Sequence, residues 1–206
     1  MDVIASVLKL KGKVRICADG REDLSIPLSI YNKYPLAQGD ILDLDEYMRK
    51  LAPLLYRLAL DRAVKYLALR ARSRKEVEVR LRQSGYPEEM VQMAIFKLEK
   101  TGVLNDFDFA RQWTDSRSEK GIGKRNIQMD LQRKGIARDT LEEVLADVDD
   151  EQQLKTARVL TEKWLPRYRN EDGRDAARKL MQALVRRGFS WDIARTAVGT
   201  IDEDDI

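Results

Sequence analysis

Six residues before each of three leucines stands a cation: Lys75 before Leu81, Arg125 before Leu131 and Arg178 before Leu184. Ammonium and guanidinium groups at a fixed interval do not by themselves make or break bonds. They hold anions, and a series of them suits a partner whose charges also come in series, such as a phosphodiester backbone or an acidic protein groove. On a helix, six residues at about 100° each leave such a cation about 120° from the core-facing leucine, so each is expected on the surface. Ser73 and Gly123 suit helix caps, which places Arg74–Lys75 and Lys124–Arg125 in an opening turn. Free backbone N–H groups there, together with the basic side chains, are expected to form an anion site.

The residue types that perform most catalysis are missing. The chain has no histidine, the commonest general base and metal ligand, and Cys17 is its one cysteine. An intrachain disulfide and a thiolate metal cluster are excluded, and neither an enzyme nor a cofactor is expected. "GIGKRN" (Gly121–Asn126) departs from a phosphate loop: Ser118 stands at the first Gly position and Arg125 where Ser or Thr is needed. A turn with Gly123 capping a helix fits it better. The acid run Glu142–Glu151 lacks calcium-loop spacing and reads as a solvated face. Trp113, Trp164 and Trp191 are candidates to stack bases, but Trp113 shares its repeat position with Tyr66 and Leu160, which favours core packing.

The cations sit in a recurring frame. "LRQSGYPEE" from Leu81 returns as "LQRKGIARD" from Leu131 and "LVRRGFSWD" from Leu184. Gly85, Gly135 and Gly188 read as left-handed residues ending a helix, Tyr86, Ile136 and Phe189 as apolar residues packing back, and Glu89, Asp139 and Asp192 as acids in the next helix's first turn. Ala63, Ala110 and Ala157 recur in phase. The pattern predicts nine helices over residues 57–200, a tandem array of three three-helix repeats in an elongated, curved molecule. The boundaries read as 51–104, 105–150 and 151–206, the last ending in an acidic tail, Asp202–Asp205. Residues 1–50 form an N-terminal extension. Alternation through Val14, Ile16, Ala18 and Leu24, Ile26, Leu28 predicts a hairpin or three-stranded sheet, then a turn and linker into the helices.

Net charge is only +3, yet residues 57–82 hold nine Lys/Arg against three acids. Around the repeat frame the expected basic face comprises Arg70, Arg72, Arg74 and Lys75, then Lys124, Arg125, Arg133 and Lys134, then Arg178, Arg186 and Arg187. No stretch approaches ~18 consecutive apolar residues, so no membrane association is expected, and the chain reads as cytoplasmic and monomeric.

"RSRKEVEVRLRQSG", "GVLNDFDFA" and "RRGFS" are the most telling parts of a match over residues 57–200 that resembles the bacterial RecX family. The resemblance implies an all-helical array of three-helix units without a catalytic motif. It also implies a regulator of the RecA recombinase that lies in the groove of the RecA–DNA filament. There it would restrain ATP hydrolysis, coprotease-type activity and strand exchange, and so modulate recombination, DNA repair and the SOS response. Single- and double-stranded DNA are further implied partners. The alternative is a helical DNA-binding module or transcription regulator acting without a recombinase, since helix–Gly–helix joints superficially resemble helix-turn-helix.

Overall fold

The alternating residues near the N-terminus pair as antiparallel strands. β1 (Asp2–Leu10), β2 (Lys13–Ala18), β3 (Leu24–Pro27) and β4 (Ile41–Leu42) make a sheet of order β3-β2-β1-β4 in this computed structural model, which describes residues 1–168 and 171–199. The sheet has four strands rather than three, because β4 is two residues long and too short to show a period. Ile4, Val14, Ile16, Ala18 and Ile26 fill its inner face. A single turn, α1 (Leu28–Tyr31), follows β3.

α2 (Leu44–Leu67) begins ten residues before the helical periodicity becomes clear, and it passes through residue 50 without a break. Its start is fixed from three sides. Asp43 caps it by accepting from the Glu46 N–H at 2.9 Å, and the Asp2 carboxylate accepts from the Leu44 N–H at 3.0 Å. Arg21 bridges Asp2 (2.7 Å) and Asp45 (2.8 and 3.0 Å), tying β1 and the β2–β3 turn to the helix. The first half of α2 buries Leu44, Leu51 and Leu55 with the sheet. Its second half buries Ala59 and Ala63 with α3 (Arg74–Gln83) and α4 (Glu88–Lys100), through Val77, Leu81, Val91, Ala94, Ile95 and Leu98. The stretch read as a linker is therefore helix, because one of its faces is apolar toward the sheet. These elements form one compact unit, Met1–Asn105.

The second unit starts at Asp106. α5 (Asp106–Glu119), α6 (Lys124–Arg133) and α7 (Arg138–Ala146) close around Phe109, Ala110, Ile127, Leu131 and Val144. α8 (Asp150–Trp164, extended by a 3-10 turn, Leu165–Tyr168), α9 (Gly173–Arg186) and α10 (Trp191–Val198) close around Ala157, Leu180, Leu184, Phe189 and Ala194. Among the described residues α2 to α10 thus form three sets of three helices. The expected acidic tail, Asp202–Asp205, lies outside the described residues.

The middle helix of each set ends in the same way. The amide of the apolar residue donates to the repeated leucine carbonyl: Tyr86 to Leu81 (3.3 Å), Ile136 to Leu131 (3.1 Å), Phe189 to Leu184 (3.2 Å). The preceding Gly amide donates to the carbonyl three residues back, and Gly85, Gly135 and Gly188 have φ of +88°, +81° and +98°. This is a Schellman end, which consumes two orphan carbonyls and needs a left-handed residue that only Gly supplies without strain.

Candidate functional site

Lys75, Arg125 and Arg178 are all exposed, but their settings differ. α9 is fourteen residues long against ten for α3 and α6, and its extra turn lies at its start. Arg178 consequently sits in a second turn, where it holds Asp175 at 2.8 Å and keeps that carboxyl below the usual carboxylate range.

The opening turn of α6 does not have the free amides expected of an anion site. The Gly123 N–H donates to Arg187 O (2.9 Å), Lys124 N–H to Gln153 Oε1 (3.0 Å), Arg125 N–H to Gly188 O (3.0 Å) and Asn126 N–H to Gly123 O (3.0 Å). Asn126 Nδ2 also donates to Arg186 O at 2.9 Å. The α9–α10 joint is seated end-on against the start of α6, so the carbonyls left by one helix take the amides left by the other. Only glycine permits this approach. A Cβ on Gly123 would lie 2.2 Å from the Gly188 carbonyl carbon, and one on Gly188 would lie 2.6 Å from the Asn126 nitrogen. "GIGKRN" is a backbone contact surface within the second unit.

That docking gathers four cations. Lys124 Nζ donates to Val148 O at 3.3 Å, and the Arg187 guanidinium donates to Lys120 O and Gly121 O just beyond α5. Carbonyls orient these groups without neutralising them. Arg125 and Arg186 are exposed and, among the described residues, no carboxylate forms an ion pair with any of the four. At the far end of α6, about 15 Å along the helix, Arg133 stands 3.9 Å from Asp130, and Lys134 lies over the Trp113 ring at 4.2 Å.

The first unit treats its expected cations differently. Arg70 meets Glu76 at 3.0 Å, and Arg72 lies 4.2 Å over the Tyr66 ring and 3.9 Å from Glu76. Arg74 meets Glu78 and Glu99, each at 2.9 Å. These charges are largely matched. Three cations outside the repeat frame, Lys11, Arg62 and Arg80, line one cavity instead. Sequence gave no direct signal for them, because Lys11 belongs to a strand turn and the other two to separate helices.

The tryptophans divide. Trp113 packs on the α5–α7 core and stacks on Phe109 at 5.9 Å, Trp164 packs on the α8–α10 core, and Trp191 is 53% exposed at the start of α10.

Residues 59–98, 105–145 and 150–198 match the family models for the first, second and third three-helix domains of RecX. The regulatory protein RecX of Amycolatopsis mediterranei (strain U-32) is 32% identical over 144 residues, covering 69% of this chain and 82% of that protein. The regulatory protein RecX of Lacticaseibacillus paracasei (strain ATCC 334) is 27% identical over 195 residues, 94% of this chain and 81% of that protein. A crystal structure of RecX from Lactobacillus salivarius superimposes with TM-score 0.67 at 29% identity over 74% of this chain and 98% of its own. A second crystal structure of regulatory protein RecX shares the fold over 96% of this chain and 98% of its own, with TM-score 0.68 at 24% identity, a span that must include most of the N-terminal sheet.

Proposed function

This chain belongs to the RecX family, and from that premise we propose that it is a non-enzymatic regulator that binds the RecA–DNA filament and restrains its ATPase, coprotease-type and strand-exchange activities. The observation that carries the reading is the cluster at the α9–α10 joint, where Lys124, Arg125, Arg186 and Arg187 have no carboxylate partner among the described residues. Lys124 and Arg187 are held by carbonyls that do not neutralise them, so a polyanion meets ordered charge there and breaks no ion pair of theirs on binding. A nucleic-acid backbone in the filament, or acidic side chains lining its groove, would meet them. The chain would bind single- and double-stranded DNA with little regard for sequence, as a phosphate-directed surface does.

DNA-dependent ATP hydrolysis by purified RecA tests this directly. Adding the chain should lower the rate in proportion to filament occupancy, and Arg125→Glu with Arg186→Glu should weaken that effect. A chain that binds DNA yet leaves RecA hydrolysis and strand exchange unchanged at saturation would instead fit the alternative, a DNA-binding module without a recombinase partner.

A further inference from the structure

We infer that the first unit carries a phosphate pocket built jointly by the N-terminal sheet and the first helical repeat. A cavity of about 390 Å³ is lined by Lys11 from the β1–β2 turn, Ser29 from α1, Arg62 from α2, Arg80 from α3, Ser84 at the C-cap of α3, and Tyr86 from the joint. Its size is at the lower end of the about 300–1,000 Å³ of ligand pockets. Among the described residues no carboxylate lines it. Lys11, Arg62 and Arg80 have no ion pair among the described residues, and Arg80 lies 5.6 Å from the Tyr66 ring centre. Three cations facing one space repel one another, and an anion entering that space relieves the repulsion. The Tyr86 phenol is raised by burial and keeps its proton, so it can donate to an oxyanion beside the cations.

The walls are fixed. The Leu28 N–H donates to Gly12 O at 3.1 Å, which pins the β1–β2 turn that carries Lys11. The joint abuts the sheet: a Cβ on Gly85 would lie 2.6 Å from the Lys13 Cβ and 3.1 Å from the Ile26 backbone. The pocket therefore exists only where sheet and repeat meet.

The repeat frame identifies the ligand as phosphate carried on a nucleic-acid strand rather than a lone ion. Two residues precede each joint glycine: Arg133–Lys134 at the second joint, Arg186–Arg187 at the third and Gln83–Ser84 at the first. The first joint lacks the basic pair, and Lys11, Arg62 and Arg80 restore positive charge there. Positive charge without a carboxylate partner among the described residues is thus found at the first and the third joint, which suits a ligand whose charges recur. This inference rests on the nucleic-acid reading above and gives it a specific subsite.

The test measures binding of the full chain to a labelled single-stranded oligonucleotide by fluorescence anisotropy across a salt series. Lys11→Glu and Arg62→Glu each remove an exposed, unpaired cation, and Lys50→Glu, on the same unit but outside the pocket, supplies the matched charge change. Each pocket variant should weaken binding roughly tenfold near 0.1 M salt and reduce the log–log salt slope by about 0.7 to 1, as loss of one phosphate contact does. Lys50→Glu should change both far less, and circular dichroism melts should match the parent for all three. Equal losses in all three variants, or none in the pocket variants while the parent binds, would overturn the pocket. A parent that binds no DNA would instead remove the broader reading. Calorimetry with inorganic phosphate and pyrophosphate separates the sources: pyrophosphate binding that needs Lys11 and Arg62, with DNA binding untouched by their loss, would also overturn the assignment to a nucleic-acid strand.

Discussion

The first and third joints share one backbone motif and use it against different neighbours. At Gly85 the chain turns against the sheet, with Lys13 and Ile26 behind it; at Gly188 it turns against the start of another helix, with Gly123 and Asn126 behind it. The motif satisfies the helix end locally in both cases. The neighbour decides what becomes of the remaining polar groups. In the third joint the Arg187 and Gly188 carbonyls are taken by the Gly123 and Arg125 amides and the Arg187 guanidinium binds backbone carbonyls, so among the described residues its positive charge is not matched by a carboxylate. Around the first repeat Glu76, Glu78, Glu88 and Glu99 take up most of the arginines, and Arg62 and Arg80, which have no ion pair among the described residues, line a pocket shared with the sheet. A repeat in sequence thus fixes the backbone joint, while its electrostatics depend on what it is packed against.

The sharpest break in this comparison is steric. Gly188→Ala combines a left-handed φ with a Cβ inside van der Waals contact of a neighbouring backbone, and Gly85→Ala does the same against the sheet. Each should cost about 3 kcal/mol or more in urea melts, the range of overpacking plus backbone strain. Gly12→Ala has the same sign of φ, +81°, but open space around it, and should cost only the strain, about 1–2 kcal/mol. Equal costs at all three would mean that the joints are not backbone contacts. A smaller loss is expected for Arg187→Ala. It removes two charge-assisted bonds to the carbonyls of Lys120 and Gly121, and water can partly replace them, so about 1–2 kcal/mol should be lost.

Charge reversal sharpens the electrostatic half. Arg125→Glu and Arg186→Glu change unmatched charges, so each should leave the melt within about 0.5 kcal/mol of the parent yet reduce DNA affinity roughly tenfold near 0.1 M salt, by loss of about one phosphate contact. Arg74→Glu should show the opposite balance: it breaks contacts to Glu78 and Glu99, costing stability more than affinity. Lys75→Glu and Arg178→Glu test whether the remaining two members of the repeated column bind at all. A folded triple variant at Lys75, Arg125 and Arg178 that still inhibits RecA hydrolysis as the parent does would make that column ordinary solvated surface.

The sequence made the helical joints legible because their requirements are local: a leucine, a left-handed Gly and an apolar residue at fixed offsets. The Ser73–Glu76 capping box was legible for the same reason. What it hid depends on contacts distant in the chain. The first half of α2 looked like linker because its apolar face, Leu44, Leu51 and Leu55, is explained only by the sheet it covers. The amides at the start of α6 looked free because most of their acceptors lie far along the chain: Gln153 for Lys124, and the α9–α10 joint for Gly123 and Arg125. Charge counting over residues 57–82 pointed to a basic region but could not separate paired from unpaired arginines, since Arg74 and Arg80 sit six apart on one helix, yet glutamates reach the first while the second lies near the Tyr66 ring and a cavity.

The smallest expected effect compares the two units in acid. In the first unit Asp2, Asp45 and Glu88 are among the carboxylates held below their ordinary range. Asp2 is held by the Leu44 N–H and Arg21, Asp45 by Arg21, and Glu88 is lowered to about 2 by Arg82 and Gln92. In the second unit Asp175, beside Arg178, is lowered in the same way. A carboxylate that ionises more easily in the folded than in the unfolded chain adds stability that is complete above its unfolded value, about 4 to 4.5, and is lost as pH falls toward the folded value. The first unit should therefore weaken first between about pH 4.5 and 2. All three tryptophans, Trp113, Trp164 and Trp191, lie in the second unit, so their fluorescence reads that unit alone, while amide resonances report both. Acid titration should shift first-unit amides before the tryptophan signal moves, and Glu88→Gln should narrow the interval. The pairs at Asp45, Glu88 and Asp175 are exposed, individually weak and screened by salt, so 1 M NaCl should narrow the interval and leave mainly the Asp2 contribution, which rests first on a backbone N–H. If both units weaken together at low salt, with Glu88→Gln making no difference, the surface carboxylates do not distinguish them, and the comparison between the units rests on packing alone.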